Sequence, residues 1–139
     1  MNNILLFQLG FLIFILGYSL GQLKQQQEKV FGAGPAFGTE RYWQDIVHEV
    51  TGGEKEYRLD DGTRVDLLLR EYACEIDWSN KWAEGIGQAI YYSKKTGKEP
   101  LVLLLVKKDG WEKYRDRVVF CGVRCWVFDT RTEEWINKE

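Results

Sequence analysis

The apolar run LVLLLV at residues 101–106 limits the fold of this chain more than any other feature. Short apolar runs bounded by turn residues are typical of β-strands buried inside a sheet. Turn residues bound this run on both sides, at 96–97 (TG) and 108–110 (KDG), and a helix is predicted beyond each turn, over residues 81–95 and 111–120. A buried strand between two helices predicts the α/β fold class.

The first helix of the chain is predicted to begin after Thr39, whose side chain can cap it, and to end near Val50, before Gly52 and Gly53. One face of this helix is expected to pack against the rest of the domain. The apolar residues of that face recur at helical spacing: Tyr42, Trp43, Ile46, Val47 and Val50.

Three strands are predicted after this helix, at residues 54–59, 63–69 and 72–78. The turn residues 60–62 (DDG) join the first two strands into a hairpin. The third strand follows closely on the second, so the three strands are expected to belong to one sheet.

The second helix is expected to be capped by Ser79 or Asn80, and a last strand is predicted at residues 125–128. The predicted order is therefore helix, three strands, helix, strand, helix, strand. This order implies an α/β fold with a mixed sheet covered by helices.

Residues 4–20 form a nearly continuous run of Ile, Leu and Phe without a charged residue. A membrane-spanning helix needs about 20 apolar residues, with a lower limit of about 17, so this run is long enough to cross a bilayer. A cleaved signal peptide is the alternative, but the chain begins MNN without a basic residue and lacks the small-residue cleavage pattern. We therefore expect a retained transmembrane anchor at residues 1–21.

The segment after the anchor, residues 22–38, is rich first in Gln and then in Gly, which predicts a polar spacer and a flexible hinge. The first positive charges, Lys24 and Lys29, follow the anchor, so the positive-inside rule places the domain at residues 39–139 in the cytoplasm. The predicted localisation is a single-pass membrane protein with a cytoplasmic C-terminal domain.

The charge balance of the 139-residue chain is nearly even, with 19 Lys and Arg against 21 Asp and Glu. No overall basic field indicates a polyanionic partner, so contact with nucleic acid would need local basic patches. Cys74, Cys121 and Cys125 suit a reducing compartment, and they form no convincing zinc spacing with the single histidine, His48. We assign the cysteines no chemistry.

Three carboxylates are predicted to converge: Asp66 in the second strand, and Glu75 and Asp77 in the third, where residues two apart share a face. Like charges close together raise one another's pKa, so such a cluster is unfavourable unless a cation such as Mg²⁺ or Mn²⁺ neutralises it. The mostly apolar neighbours of these acids indicate that they border the core. The alternative is a hairpin whose acids face water or pair with Arg64 and Arg70.

A polar stripe is predicted along the second helix, where Lys81, Glu84, Gln88 and Tyr92 follow one another at helical spacing. A lysine in the first turn of a helix opposes the helix dipole, so its position beside the acids indicates a functional role for Lys81. An ordinary solvent-facing stripe is the alternative, and it stays open for Glu84. A different face of this helix carries apolar residues: Trp82, Ile86 and Ala89.

These features resemble the PD-(D/E)XK nuclease superfamily, whose core runs helix, three strands, helix, strand, with acids on the second and third strands. The resemblance rests on residues 62–66 (GTRVD), 74–78 (CEIDW) and 81–92 (KWAEGIGQAIYY). Gln88 and Tyr92 are similar to the Gln-x-x-x-Tyr signature of the RecB-like branch, and small phage-associated proteins have similar Lys-Trp-x-Glu helices. The resemblance covers residues 39 to about 106 and implies a restriction-endonuclease-like core.

The resemblance also implies a metal site, in which Asp66, Glu75 and the Ile76 carbonyl bind Mg²⁺ or Mn²⁺ and Asp77 adds a ligand. The second motif of the family ends in Lys two residues after its Glu, where this chain has Asp77. In some members that lysine has moved to the next helix, and Lys81 is the candidate for it in this chain.

A glutamate on the first helix often joins the site of this superfamily. Glu40 or Glu49 would be that residue, and the sequence leaves both open. The predicted function is hydrolysis of DNA phosphodiester bonds by a membrane-tethered, metal-dependent enzyme, in which Gln88 and Tyr92 position the substrate or the metal-site residues.

Two other functions stay open on the sequence alone. One is a membrane-tethered binding module that keeps the nuclease fold without the chemistry, and the other is a structural adaptor without a nucleic-acid role. Several basic residues are candidate phosphate contacts, although they suit a solvated surface equally well: Lys94, Lys95, Lys107, Lys108, Arg115 and Arg117.

Overall fold

The computed structural model describes residues 34–138, and its central element is a mixed sheet of six strands in the order β1-β2-β3-β4-β5-β6. Strands β3, β4 and β5 run parallel to one another, and the other neighbouring pairs are antiparallel. The elements, in chain order, are α1 (Glu40–Thr51), β1 (Glu54–Arg58), β2 (Arg64–Leu68), β3 (Tyr72–Trp78), a 3₁₀ turn (Ser79–Lys81), α2 (Trp82–Thr96), β4 (Glu99–Val106), α3 (Glu112–Phe120), β5 (Arg124–Asp129) and β6 (Glu134–Asn137).

The predicted α/β class, mixed sheet and order of elements are confirmed, and β6 is one strand more than was predicted. Every residue from Leu101 to Val106 is fully buried, as the apolar run indicates. Only a strand in the middle of such a sheet pairs along both edges and is covered by helices on both faces. Strand β4 has that position, between β3 and β5.

Helix α1 begins and ends as its sequence predicts. The Thr39 hydroxyl oxygen accepts a hydrogen bond from the Tyr42 backbone N–H at 3.3 Å, which caps the first turn. The helix ends at Gly52, whose φ of 70° favours glycine. At the next residue, Gly53, a Cβ atom would lie 2.7 Å from the Leu68 carbonyl oxygen, so only glycine lets the chain enter β1 this close to β2.

The two faces of the sheet bury separate sets of side chains, because successive strand residues point to opposite faces. On the face covered by α1, the core is formed by Trp43, Val47, Leu67, Cys74, Ile76, Leu101, Leu103, Leu105, Trp126 and Phe128. On the face covered by α2 and α3, it is formed by Ala89, Val102, Leu104, Val106, Val118, Val123, Cys125 and Val127.

The entry into α2 differs from the prediction. Ser79 and Asn80 lie within a 3₁₀ turn, and no side-chain hydrogen bond caps either this turn or α2, which begins at Trp82. Lys81 is the last residue of that turn and therefore precedes the helix in which it was predicted. The tighter 3₁₀ geometry brings the chain from β3 directly into α2 without a loop.

The chain divides into two units, Met1–Pro35 and Ala36–Glu139. The predicted anchor at residues 1–21, and the spacer as far as residue 33, lie outside the described residues. Within residues 34–138, no helix has the length and apolar character needed to cross a bilayer. The anchor and the cytoplasmic orientation therefore stay predictions from the sequence.

Candidate metal centre

The two strands that carry the acids, β2 and β3, separate next to those acids. Backbone pairing between them consists of Leu67 with Cys74 and Leu68 with Ala73. Beyond these pairs, the Ile76 backbone N–H donates a hydrogen bond of 2.8 Å to Oδ2 of Asp66. A side-chain carboxylate thus takes the place of a backbone acceptor, and this holds Asp66 in the gap between the strands.

The regular alternation of side chains along strand β2 is also interrupted at Asp66. Residues two apart in a regular strand share a face, but Val65 packs with Ala73 on one side of the sheet and Leu67 packs with Ile76 on the other. This local rotation leaves the Asp66 side chain directed along the sheet toward β3. In a strand, the N–H and carbonyl of one residue point to the same neighbour, so the Ile76 carbonyl also faces this gap.

Glu75 and Asp77 project from β3 on the face covered by α2, and both are almost completely buried, at 6% and 4% exposure. One oxygen of each, Oε2 of Glu75 and Oδ2 of Asp77, is buried without a hydrogen-bond partner among the described residues. Burying an unpaired carboxylate oxygen is unfavourable, and such groups in folded proteins call for an explanation such as a bound ion.

Burial and the charges of neighbouring carboxylates raise the pKa of all three acids. Burial is the largest cause in each, followed in Glu75 by the charges of Asp66 and Asp77. The pKa of Asp66 rises through burial against the opposing effect of its hydrogen bond from Ile76, and the pKa of Asp77 rises to about 6. The charge of Asp77 acts on both Asp66 and Glu75, so the three carboxylates lie near one another, as the sequence predicts.

Of the two first-helix glutamates, the structure brings Glu40 to this cluster and leaves Glu49 exposed near the other end of α1. The charge of Glu40 raises the pKa of Asp66, Glu75 and Asp77. The sequence could not choose Glu40 over Glu49, because both glutamates fit the pattern of the predicted helix.

Lys81 lies between two of these carboxylates. Its Nζ atom is 3.5 Å from Oδ1 of Asp77 and 3.4 Å from Oε2 of Glu40, and the charge of Glu40, then that of Asp77, raises the lysine pKa. The lysine side chain is 44% exposed, so the ammonium group sits at the mouth of the acid cluster. It compensates part of the negative charge but leaves Oε2 of Glu75 without a hydrogen-bond partner in the part of the chain that the structure describes.

The predicted polar stripe on α2 is correct only in part. Gln88, which is half-buried, donates a hydrogen bond of 3.3 Å to Glu84, which is exposed. Tyr92 instead turns inward, at 8% exposure, and shares the sheet-facing side of α2 with Ala89. Burial, then the charges of Glu75 and Asp66, raises the pKa of Tyr92 to about 12, so the phenol stays protonated beside the acids.

Gly85 is a site residue that the sequence interpretation missed. It lies on the sheet-facing side of α2, where an added Cβ would be 3.4 Å from Oδ2 of Asp77 and 3.4 Å from Val102. The lack of a side chain lets α2 pack closely over the unpartnered Asp77 oxygen, which is itself buried. A glycine inside a helix, one turn after Lys81, is the signal that could have indicated this position, since glycine is unfavourable there.

The cysteine and histidine side chains are not candidate ligands of this centre. Cys74 and Cys125 are buried, and burial raises the pKa of both thiols, while Cys121 is exposed. His48 contacts the Gly53 carbonyl oxygen at 3.2 Å. Among residues 34–138, no three His, Cys, Asp or Glu side chains are arranged as a ready-made metal site.

The donor chemistry of the acid cluster nevertheless fits a hard divalent cation, because carboxylate and carbonyl oxygens are the ligands that Mg²⁺ and Mn²⁺ prefer. The two unpartnered oxygens of Glu75 and Asp77 are the observation that supports this fit.

No protein-family model matches the chain, and neither curated proteins nor solved structures give a match. The geometry of residues 34–138 is thus the basis for any functional assignment.

Proposed function

We propose that the domain is a metal-dependent nuclease that hydrolyses phosphodiester bonds of DNA. The observation that carries this proposal is the pair of buried carboxylates, Glu75 and Asp77, each with an oxygen that lacks a partner among the described residues. The order α1, β1, β2, β3, α2, β4, with acids on β2 and β3, supports a nuclease core of the PD-(D/E)XK type. Burying this much like charge has no benefit for stability, which favours a functional reason for it.

In this proposal, Asp66, Glu75 and the Ile76 carbonyl would hold Mg²⁺ or Mn²⁺, and Asp77 and Glu40 would complete the ligand set. Such an ion, when bound, supplies Lewis acidity, which makes water a nucleophile at neutral pH and offsets charge on the phosphate. The chain itself contributes the fixed position of Asp66, held by the Ile76 N–H, and Gly85, which places no side chain against Asp77.

The remaining site residues would act on the substrate. The Lys81 ammonium at the mouth of the cluster would stabilise negative charge that develops on the phosphate. The protonated Tyr92 would donate its hydroxyl hydrogen toward Glu75 or Asp66 and hold their orientation, and Gln88, which contacts Glu84, would position the substrate at the cluster edge. The run at residues 4–20 would tether this activity to a membrane, which protease protection in intact cells would test.

Cleavage of labelled DNA by the full chain tests the nuclease proposal. With Mn²⁺ present, we expect cleavage that EDTA abolishes, and we expect Asp66→Asn and Glu75→Gln each to remove it while leaving the fold intact. The matched control is Glu99→Gln, because Glu99 is an exposed glutamate at the opposite end of the adjacent strand β4. Wild-type cleavage by Glu75→Gln would show that the acid cluster is not the catalytic site.

A second function, a binding module without catalysis, has one observation in its favour. Lys81 already pairs with Asp77 and Glu40, so an ammonium group supplies some of the charge that a metal ion would supply. A module of this kind would bind DNA without cleaving it, and neither Mg²⁺ nor Mn²⁺ would stabilise it against unfolding.

A further inference from the structure

Basic and aromatic side chains interleave on a surface next to the acid cluster. Lys107 Nζ lies 4.6 Å from the centre of the Trp78 ring. The Arg117 guanidinium carbon lies 5.2 Å from the centre of the Trp82 ring and 5.8 Å from that of Tyr114. Trp78 packs against the core on the α1 side of the sheet, and Trp82 and Tyr114 pack against the core on the other side, so the two groups flank the end of the sheet. We call these five residues the aromatic–basic surface.

The position of this surface follows from the parallel strands β3 and β4. Trp78 directly follows Asp77 at the end of β3, and Lys107 directly follows β4, whose Leu105 pairs with Trp78. Trp82 directly follows Lys81, and Arg117 reaches it from α3. The surface therefore borders the carboxyl ends of these strands, where open α/β sheets bind their ligands.

The cations of this surface are free to meet an anion. Of the six basic residues that the sequence offered as phosphate contacts, Lys95 pairs with Asp60 and Arg115 pairs with Asp116. Within residues 34–138, no acidic side chain lies within ion-pair distance of Lys107 or Arg117. Lys107 and Arg117 have long, flexible side chains, so each can move off its ring to contact a phosphate and leave the outer face of the ring open.

We propose that the aromatic–basic surface binds a single-stranded stretch of nucleic acid and leads its backbone to the acid cluster. This inference rests on the proposed nuclease function. Lys107 and Arg117 contact phosphates, and the rings of Trp78, Trp82 and Tyr114 take up unpaired bases, whose faces a duplex would hide.

Two observations favour a nucleic-acid strand over an anionic membrane as the occupant. The three rings are half-buried and lie along the surface, whereas side chains that insert into a bilayer protrude from a domain. None of the three rings is among the large apolar residues that protrude from the described part. Of those residues, Val119 and Phe120 lie on α3 near Arg117, and the others lie elsewhere in the sequence: Phe37, Val50, Tyr91 and Ile136.

Binding of a fluorescein-labelled oligothymidylate of about 16 nucleotides to the full chain in EDTA tests this surface without cleavage. We expect Lys107→Ala with Arg117→Ala to weaken binding about tenfold or more, and the logarithmic salt dependence to become shallower by about 1.4 for the two lost contacts. A duplex of the same length should bind more weakly than the single strand.

The matched control is Arg124→Ala with Lys138→Ala. These residues also lie over aromatic rings, Arg124 over Tyr72 and Lys138 over Trp126 and Trp135, and their removal lowers the net charge equally. Equal weakening by the control pair, or tighter binding of the duplex, would overturn the inference. So would loss of binding to phosphatidylserine vesicles in the Lys107 and Arg117 variant while oligothymidylate binding is unchanged.

The two proposals fail in different assays. If oligothymidylate binding depends on Lys107 and Arg117 but Mn²⁺ supports no cleavage, the surface stands and the nuclease proposal falls. If Mn²⁺ supports cleavage that needs Glu75 while the Lys107 and Arg117 variant binds oligothymidylate like wild type, the surface is refuted and the nuclease proposal stands.

Discussion

At the scale of single residues, Asp77 shows why an ionised carboxylate is unfavourable in the acid cluster. It is 4% exposed, its Oδ2 has no partner among the described residues, and Lys81 reaches its other oxygen at 3.5 Å. Burial is the main reason that the Asp77 pKa rises from 3.8 to about 6. The folded domain thus favours the protonated acid, and it carries a cost at any pH where the acid is ionised.

The sign of this shift predicts how stability depends on pH without metal. A carboxyl group whose pKa is raised on folding stabilises the fold fully below its unfolded pKa and loses that contribution as pH rises through its folded pKa. For Asp77 the loss falls between about pH 4 and pH 7 and amounts to about 3 kcal/mol, and the raised pKa values of Asp66 and Glu75 act in the same direction.

Urea unfolding in EDTA at pH 5 to 8, followed by tryptophan fluorescence, measures this dependence. The free energy of unfolding should fall with rising pH in wild type and should fall less steeply in Asp77→Asn. Asp61, whose pKa is lowered to about 2 by hydrogen bonds from Thr63 and Tyr91, influences stability only below this range. Stability that rises from pH 5 to 8 equally in both chains would show that Asp77 ionises freely.

Lys81 carries a second prediction at this scale. If its ammonium stabilises charge on the phosphate, Lys81→Ala should lower kcat about 10²-fold without lowering metal affinity, since the lysine competes with the metal for Asp77 and Glu40. Lys81→Arg should restore only part of the rate, because a planar guanidinium keeps the charge but not the compact geometry. Wild-type cleavage by Lys81→Ala, beside an inactive Asp66→Asn, would remove Lys81 from the mechanism.

Single residues also show where sequence interpretation reaches its limit. The alternation of β3 was enough to place Glu75 and Asp77 on one face, because strand geometry is local. The choice of Glu40 over Glu49, and the inward direction of Tyr92, depend on how α1 and α2 dock on the sheet. The docking of a helix depends on tertiary contacts, and the spacing of apolar residues within the helix does not determine it.

At the scale of elements, helices and strands with strong local signals were predicted almost to the residue. Helix α1 has a threonine cap and a glycine stop, and β3 has the same bounds, residues 72–78, as the predicted strand. Strand β6 was missed because its four residues are alternately exposed and half-buried, and their stability comes from pairing with β5. The 3₁₀ turn before α2 was missed because Ser79 and Asn80 look like ordinary helix caps.

The packing of α2 against β3 gives a prediction at this scale. Gly85→Ala should stabilise α2 by up to about 1 kcal/mol through helix propensity. The new Cβ, 3.4 Å from Oδ2 of Asp77, would take up the space beside the unpartnered oxygen and should weaken Mn²⁺ binding. Calorimetry of unfolding and of Mn²⁺ binding would measure both effects.

The matched control for this helix substitution is Gly87→Ala, because Gly87 has open space around it in the same helix. It should raise stability without changing the affinity for Mn²⁺. Weaker Mn²⁺ binding in both variants would assign the effect to helix stiffness rather than to the space beside Asp77.

At the scale of the whole molecule, the described domain combines an acid cluster with a mixed sheet whose strands part at that cluster. The near-even charge of the chain hides this arrangement, because its acids gather on β2 and β3 while Lys107 and Arg117 lie on a neighbouring surface. Composition therefore could not predict that these acids gather, whereas their spacing along two strands could.

Calorimetric titration of Mn²⁺ into the full chain at pH 7.5 tests the central claim, that these acids form a metal centre, most directly. We predict submillimolar binding at one site, with release of protons that is detected by comparing buffers of different ionisation enthalpy, because the metal must displace protons from acids whose pKa is raised. Binding should be lost in Glu75→Gln and kept in Glu99→Gln. Absence of binding by wild type, or equal binding by both variants, would contradict the claim.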